Sequence, residues 1–291
     1  MARPLRSLAG KVIAITGGGR GIGAATAAAL ARKGARVAIG DLDVDLAKQT
    51  ADTLGAGSIA LPLDVTDRDG FTAFLDEVEQ QLGPIDVLIN NAGIMPIGPI
   101  EEETDRTTAH QLAINLHAVI HGSREAIKRM KPRRTGHIVN VASSAGRIPV
   151  PGGATYSATK WGVVGFSESI RGELHGTGIE VTCVMPGIVR TELTAGVEDN
   201  PTFKTVTPDD VAARIVEALQ RPRFDVFVPK AIGPTIRLGL VAPRPFSEWL
   251  QRILKADDIM LKAARSAERK DYEARAAASA PKTDQELGGK S

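Results

Sequence analysis

The chain of 291 residues contains a single cysteine, Cys183, and this limits the chemistry that it can support. One cysteine cannot form a disulfide within the chain, and it cannot build a metal site that needs several thiolates. Cys183 lies in the apolar run 181–185, where a thiol buried in the core is the expected arrangement. We therefore expect neither an internal disulfide nor a metal site.

Aromatic residues are also scarce, at 4% of the chain, and neither sign of charge dominates. The core must therefore consist mainly of alanine, valine, isoleucine and leucine. A net charge of +2 gives no basis for binding nucleic acid. The nearest approach to a basic cluster, Lys131–Arg134, is more typical of a helix end, so we expect no nucleic-acid partner.

Long hydrophobic runs are absent near the N-terminus. The first residues are basic, but the apolar run that follows them extends only from Val12 to Ile15. This run is too short for the core of a signal peptide or for a membrane span. We expect an intracellular protein located in the cytoplasm.

Seven short apolar runs alternate with six helix-length segments along most of the chain. Runs rich in β-branched residues are typical of strands buried on both faces, and intervening helices indicate parallel pairing. This pattern predicts a three-layer, doubly wound (Rossmann) α/β fold with a seven-stranded parallel sheet and helices on both faces. The predicted strands are Val12–Ile15, Arg36–Ile39, Ser58–Leu61, Val87–Asn90, His137–Val141, Glu180–Val184 and Asp225–Val228. The predicted helices are residues 21–33, 43–54, 67–82, 104–131, 154–176 and 207–220.

The alternation stops after Pro229. Residues 230–245 combine apolar side chains with glycines and prolines, and we predict irregular structure there. An amphipathic helix is predicted next, from apolar side chains at helical spacing: Phe246, Trp249, Leu250, Ile253 and Leu254. The predicted organisation is a Rossmann domain over residues 8–229, a C-terminal extension with this helix over 230–275, and a disordered tail over 276–291.

A glycine-rich segment, Thr16–Gly23, directly follows the first strand and opens the first helix. Glycines allow the backbone to turn tightly and to approach a pyrophosphate, which then meets free N–H groups at the helix N-terminus. A loop of this kind between a strand and a helix predicts a dinucleotide site. The cofactor-binding residues predicted in it are Gly17, Arg20, Gly21, Ile22 and Gly23.

Asp41 stands at the end of the second strand, near the ribose-reading position of such folds. A carboxylate there accepts hydrogen bonds from ribose hydroxyls and repels a 2′-phosphate, and Leu42 adds no compensating cation. We therefore predict NAD as the cofactor. Arg20 keeps NADP open as the alternative, because an arginine inside the loop could reach a 2′-phosphate.

Two further segments, Asp64–Val65 and Asn90–Gly93, lie at the ends of the third and fourth strands. Ligands bind at the carboxyl edge of open α/β sheets, so both segments are predicted to line the cofactor site. Taken alone, asparagine and glycine could equally form a turn, because both tolerate positive φ angles. The cofactor-binding residues predicted here are Asp64, Val65, Asn91, Ala92 and Gly93.

Tyr156 and Lys160 lie one helical turn apart in the predicted helix 154–176, and Ser143 precedes that helix. A free tyrosine, with a pKa of about 10, is a poor acid–base catalyst near neutral pH. A cation held beside the phenol favours the phenolate and is expected to lower that pKa. A serine hydroxyl could then bind the same substrate oxygen. The pair by itself could be an ordinary solvated helix face.

Together these motifs resemble the short-chain dehydrogenase/reductase family, in its branch of single-domain enzymes. The matches follow the family order and cover about residues 8–229; they are Thr16–Gly23, Asn90–Gly93, Asn115, Ser143, Tyr156–Lys160 and Pro186–Gly187. The resemblance implies an NAD(P)-dependent oxidoreductase that interconverts an alcohol and a ketone or aldehyde by hydride transfer.

The resemblance also implies a role for each matching residue. Tyr156 would exchange the proton, Lys160 would lower the tyrosine pKa and bind the nicotinamide ribose, and Ser143 would hold the substrate oxygen. Asn115 would support a water molecule that links Lys160 to solvent. Asp64 and Val65 would contact the adenine, and Asn91 the region near its ribose. The remaining implied cofactor contacts, around the nicotinamide, are Tyr156, Lys160, Pro186, Gly187, Ile188 and Thr191.

The substrate is expected to contact three segments that are mostly apolar, Met95–Ile97, Ala145–Gly153 and Leu193–Val206. We therefore expect an apolar alcohol or carbonyl compound. Arg147 is the one charge in the loop Ala145–Gly153, and it either points outward or meets an anionic substrate.

Two rival functions stay open. One is an epimerase or dehydratase of the extended branch of the family, against which the glycine spacing and the lack of a large C-terminal substrate domain argue. The other is a non-catalytic nucleotide-binding scaffold or regulatory protein. Oligomers are common in the family, often through the helices that correspond to 104–131 and 154–176, which implies a homodimer or homotetramer. Contact of the C-terminal helix with a membrane surface is a further alternative, which we do not favour.

Overall fold

The structure is a computed structural model, and it describes residues 5–55, 57–197, 205–241 and 259–279. These residues contain a sheet of seven parallel strands in the order β3-β2-β1-β4-β5-β6-β7. The strands are β1 (Val12–Thr16), β2 (Arg36–Asp41), β3 (Ile59–Pro62), β4 (Val87–Asn90), β5 (Gly136–Val141), β6 (Ile179–Pro186) and β7 (Asp225–Val228). The predicted doubly wound α/β fold is confirmed, with every predicted strand present.

Helices separate the strands along the chain. They are α1 (Gly21–Ala31), α2 (Val44–Leu54), α3 (Arg68–Leu82), α4 (Asp105–Leu112), α5 (Ala118–Met130), α6 (Ala154–Glu173), α7 (Pro208–Gln220), α8 (Ile232–Val241), α9 (Ile259–Ala264) and α10 (Lys270–Ala278). Asp43, Asp67 and Thr207 begin α2, α3 and α7 by accepting hydrogen bonds from first-turn N–H groups, which no helix carbonyl can satisfy.

Alternate residues of the central strand pack into opposite layers. Ile13 and Ile15 contribute to a core cluster shared with α1, α2 and α7, whereas Val12 and Ala14 contribute to a cluster shared with α3 and α5. All five side chains of β1 are buried, because helices cover both faces of the sheet. This burial explains why the strands read as continuous apolar runs instead of alternating ones.

The strand order reverses beside β1, and this reversal positions the site. β1 pairs with β2 on one side and with β4 on the other, so the chain winds outward in two directions from the centre of the sheet. The connections that leave the carboxyl ends of β1 and β4 therefore diverge and open a crevice. Both the glycine-rich loop and the segment after Asn90 stand at this crevice.

The prediction of irregular structure over residues 230–245 is wrong for most of its length, because Ile232–Val241 form α8. Pro234 lies in the first turn, where a backbone N–H would have no helix carbonyl to bond to, so its lack of an N–H costs nothing. Gly233 lets the helix approach the sheet, since a Cβ there would lie 2.8 Å from Cδ2 of Phe227. Ile236 is buried and anchors the helix.

The C-terminal segment, residues 259–279, packs against the domain. Tyr272 and Ala276 belong to the same core cluster as Val12 and Ala14 of the central strand. Helix α10 continues to Ala278, so residues 276–278, predicted to belong to a disordered tail, are helical. The predicted amphipathic helix around Phe246 to Leu254 lies outside the described residues, as does the stretch 280–291. In the described part of the chain, no helix has both the length and the apolarity needed to cross a membrane.

Candidate active site

The glycine-rich loop turns from β1 into α1 with backbone angles that glycine favours. Gly17 and Gly21 have φ angles of +65° and +55°. A Cβ at Gly23 would lie 2.1 Å from the carbonyl oxygen of Gly17, so the loop folds directly against the start of the helix. No side chain caps α1, and no acidic residue stands in its first turn. The positive end of the helix therefore faces the crevice, an arrangement that fits a pyrophosphate.

Asp41 connects the end of β2 to this loop. Its Oδ2 accepts a hydrogen bond from the N–H of Gly19 at 2.8 Å, and its Oδ1 accepts one from the N–H of Asp43 at 3.1 Å. A carboxylate offers about four lone-pair positions, so acceptor capacity remains for ribose hydroxyls. Asp41 lines the cavity described below, as its predicted role requires.

Arg20 lies at the rim of the crevice between two carboxylates. Its guanidinium is 2.8 Å from Asp43 and 3.1 Å from Glu192, and Glu192 is also 3.1 Å from the guanidinium of Arg275 in α10. This chain of ion pairs connects the glycine-rich loop to the C-terminal helix. Because two carboxylates already bind Arg20, its charge is less available to a 2′-phosphate than the sequence suggested.

The segment after β4 is tied to the end of β1. Nδ2 of Asn91 donates to the carbonyls of Thr16 and Gly17 at 3.0 and 2.9 Å. The backbone N–H groups of Asn91 and Ala92 donate to Oγ1 of Thr16. The side-chain amide of Asn91, a predicted cofactor residue, therefore connects the ends of β1 and β4. Asp64 lies at the adjacent edge, where Thr66 donates to its Oδ1 from both the backbone N–H and the hydroxyl.

Tyr156, Lys160 and Ser143 meet at the deep end of the crevice. Tyr156 and Lys160 lie on one face of α6, with the lysine Nζ 5.6 Å from the centre of the phenol ring. Nζ donates to the carbonyl of Val141 at 3.1 Å. Ser143 follows β5 and lines the same cavity as Tyr156. The structure thus brings together the three side chains that the sequence placed in one site.

The electrostatics of this group differ from the prediction in one respect. Burial raises the pKa of Tyr156 to about 12, and the Ser143 hydroxyl only partly opposes this. Burial also lowers the pKa of Lys160 to about 8. Burial is the largest influence on the tyrosine pKa here, so its net shift runs opposite to the lowering that the sequence predicted.

Asn115 lies in a π-helical turn, Ala113–His117, that separates α4 from α5. Its Oδ1 accepts from the N–H of Ile94 at 2.9 Å, and its Nδ2 donates to the carbonyl of Ile94 at 2.8 Å and to Thr159 at 3.3 Å. The side chain is fully buried and connects the segment that follows β4 to helix α6. A π-turn inside an α-helix is often found at functional sites.

A buried polar network beneath the site was not predicted. Nδ2 of Asn90 donates to Oδ1 of Asn140 at 2.8 Å, and Nδ2 of Asn140 donates to Oγ of Ser167 at 2.9 Å. The two asparagines are direct neighbours across β4 and β5. The signal was available, because an asparagine in the apolar strand 137–141 needs a buried partner. The network fixes α6, and with it Tyr156 and Lys160, against the sheet.

A single cavity of about 1420 Å³ runs from Asp41 to Tyr156. Every predicted site residue lines it except Gly23 and Asn115, which lie directly behind its wall. The predicted residues at its surface are Gly17, Arg20, Gly21, Ile22, Asp41, Asp64, Val65, Asn91, Ala92, Gly93, Ser143, Tyr156, Lys160, Pro186, Gly187, Ile188 and Thr191. Residues of α8 and of the C-terminal segment also line it, and the sequence predicted none of them individually: Thr235, Ile236, Leu238, Met260, Tyr272 and Arg275.

The wall around the phenol is apolar. Met95 and Ala145 pack with the Tyr156 ring, and Ile97, Val150 and Leu193 border the same cluster. Arg147, the one charge of the loop Ala145–Gly153, forms an ion pair with Glu168. Among the residues that the structure describes, no group of three or more histidine, cysteine or acidic side chains could hold a metal ion.

Comparisons with known proteins show which family the chain resembles. A profile of the short chain dehydrogenase family matches residues 11–202. An uncharacterized oxidoreductase of Staphylococcus saprophyticus is 33% identical over 73% of this chain and 91% of its own length. A D-threitol dehydrogenase of Mycolicibacterium smegmatis is 37% identical over 72% of this chain and 85% of its own length. Other relatives are longer proteins, of which the match covers 42% or 18%.

A similar solved structure is that of a short chain dehydrogenase/reductase from Burkholderia phymatum in complex with NAD. It is 28% identical, and the alignment covers 85% of this chain and 97% of that chain with a TM-score of 0.74.

Proposed function

The chain belongs to the short chain dehydrogenase family and is an NAD(P)-dependent oxidoreductase, and we propose that it interconverts an apolar alcohol and the corresponding ketone or aldehyde with NAD. The observation that carries this proposal is one continuous cavity with a dinucleotide cradle at one end and Tyr156, Lys160 and Ser143 at the other. When bound, the nicotinamide cofactor supplies or accepts the hydride.

The protein's own groups would handle the proton. With its pKa raised to about 12, the Tyr156 phenol is protonated at neutral pH and is ready to donate to a carbonyl oxygen that gains negative charge. Ser143 is placed to hold the same oxygen. The Lys160 ammonium, next to the phenol ring, stabilises negative charge that develops on the phenol. In the oxidative direction the same groups accept the proton of the alcohol.

Carbonyl reduction and alcohol oxidation are expected to respond to pH with opposite signs. The pKa of Lys160 is about 8 and that of Tyr156 about 12, so the pair loses its first proton near pH 8. Reduction needs the phenol proton of Tyr156 and also the Lys160 ammonium that stabilises the resulting phenolate, so its rate is flat below pH 8 and falls above it. Oxidation needs a site that can accept a proton, so its rate rises through the same range. Initial rates in both directions check this, and changes of the same sign would contradict it.

Asp41 supports NAD as the preferred cofactor, because its carboxylate at the end of β2 would face a 2′-phosphate across the cavity. The Asp41→Asn variant removes that like-charge contact, which costs several kcal/mol in comparable interfaces. We expect the preference for NAD over NADP to fall by roughly tenfold or more. The kcat/KM values with the two cofactors measure this. Asp45→Asn, an exposed residue of α2, is the control and should leave the preference unchanged.

The apolar wall formed by Met95, Ala145 and Leu193 supports an apolar substrate. The relative named D-threitol dehydrogenase makes a small polyol the alternative. A panel of aliphatic, aromatic and polyhydroxylated alcohols and ketones, assayed with NAD and NADP, distinguishes them. Turnover confined to polyols would contradict the apolar substrate. Failure to turn over any compound, despite tight NAD binding, would favour a non-catalytic scaffold or regulatory protein.

Self-association is part of the same proposal. Helices α4, α5 and α6 correspond to those that pair subunits in many family members, and Trp161 of α6 remains 41% exposed in the single chain. We expect a homodimer or homotetramer. Light scattering coupled to gel filtration tests this, and a monomer at micromolar concentration would contradict it.

A further inference from the structure

Arg269 is the largest fully buried side chain in the described part of the protein, although it lies in a strongly charged segment. Its Nε donates to Glu273 at 2.8 Å within the C-terminal segment. Its Nη1 donates to the carbonyls of Leu193 and Ala195 at 2.8 and 3.4 Å, and its Nη2 donates to the carbonyl of Met95. A single guanidinium therefore joins the C-terminal segment to the loops that follow β4 and β6.

Tyr272 and Glu273 complete this contact. The Tyr272 hydroxyl accepts a hydrogen bond from the N–H of Met95 at 2.7 Å, and Glu273 accepts one from the N–H of Ile97 at 3.4 Å. The Arg269 guanidinium lies 4.8 Å from the centre of the Tyr272 ring. Residues of the C-terminal segment thus bind both backbone polar groups of Met95.

The loops held in this way form the wall of the substrate site. Met95 packs against the Tyr156 ring, Leu193 borders the same cluster, and both residues line the cavity. Burying a guanidinium is expensive even when it is paired, and apolar residues of similar volume often give equal stability. Its value is therefore geometric, since a planar group with five donors can fix several carbonyls at defined spacings.

We propose that Arg269 is a positioning residue that sets the width of the substrate site between Met95 and Leu193. The C-terminal segment is then part of the active site. The substrate is confined beside Tyr156 by two loops that Arg269 holds at a fixed separation. This inference rests on the proposed function, because it assigns the substrate to the cavity beside Tyr156.

Kinetics of Arg269→Met with ketones of graded size test the proposal. If the two loops move apart, a small ketone is held less well beside Tyr156 than a bulky one. The kcat/KM for a small ketone should therefore fall roughly 10- to 100-fold, and the value for a bulky ketone should fall less. Affinity for NAD should stay within about twofold of the parent. Arg269→Lys should restore only part of the discrimination. Arg265→Met removes an exposed charge from the same segment and serves as the control. An equal loss for all ketones would indicate a purely structural role and overturn the proposal.

Hydrogen exchange provides a readout that does not depend on turnover. In folded Arg269→Met, the amides of Met95 and Ile97 should exchange faster, while those of β5 should not change. Tyr272→Phe, a milder change, should accelerate Met95 alone. Unchanged exchange at both amides would overturn the proposal. If the substrate panel shows no turnover but these amides respond, the proposed function fails while the contact stands.

Discussion

Tyr156→Phe is expected to reduce turnover by at least about 10²-fold, and up to about 10⁴-fold, while NAD affinity stays unchanged. The change removes only the hydroxyl, so the ring still packs with Met95 and Ala145. The proton donor is lost, and Ser143, a much weaker acid, cannot replace it. Single-turnover rates together with calorimetric titration of NAD separate chemistry from binding.

The chain offers a matched comparison, because Tyr272 is its only other tyrosine. Tyr272→Phe also removes one buried hydroxyl, but it leaves the proton donor in place and affects only the position of Met95. Its effect on turnover should be much smaller. Near-normal turnover in Tyr156→Phe would remove the tyrosine from the mechanism.

Gly23→Ala is expected to weaken NAD binding and to destabilise the fold together. The new Cβ would lie 2.1 Å from the carbonyl oxygen of Gly17 and 2.7 Å from Nδ2 of Asn91, so the loop must move. Overpacking of this kind costs about 1–3 kcal/mol, which corresponds to roughly 5- to 150-fold in an equilibrium constant. Calorimetric titration with NAD and thermal unfolding measure the two effects.

Gly172→Ala, in α6, is the control for this change, because a Cβ there meets nothing within 4 Å. Replacing glycine by alanine in a helix should stabilise the protein by about 0.5–1 kcal/mol and leave NAD binding intact. If folded Gly23→Ala bound NAD as tightly as the parent, the cradle would not lie at this loop.

Most of the sheet could be predicted because burial on both faces leaves a direct mark in the sequence. The run from Val12 to Ile15 contains no polar residue, since its side chains enter two core clusters in turn. The start of α7 could be predicted as well, because Thr207 and Pro208 form a local cap that does not depend on distant residues. Helix α8 could not, because Gly233 and Pro234 are typical of loops and only their packing on Phe227 explains the helix.

The features of the candidate site that depend on residue spacing could be predicted from the sequence. The features that depend on burial could not. Four residues of separation are enough to place Tyr156 and Lys160 on one helix face. The same spacing says nothing about desolvation of the phenol. The sequence therefore predicted a lowered tyrosine pKa, whereas burial raises it. Arg269 could not be found at all. A charge in a charged stretch predicts a solvated side chain, and its partners Leu193 and Met95 lie 76 and 174 residues away.

Transfer of deuterium from the cofactor to the product tests the mechanism directly, because it follows the C–H bond that is formed. A ketone from the substrate panel would be reduced with cofactor that carries deuterium at both C4 positions of the nicotinamide, in ordinary water. Direct hydride transfer predicts a deuterium atom on the carbinol carbon of the product, and a hydroxyl proton that comes from Tyr156 and ultimately from solvent. An alcohol whose carbinol carbon carries hydrogen from water would contradict it, and with it the assignment of Tyr156, Lys160 and Ser143 to a hydride-transfer site.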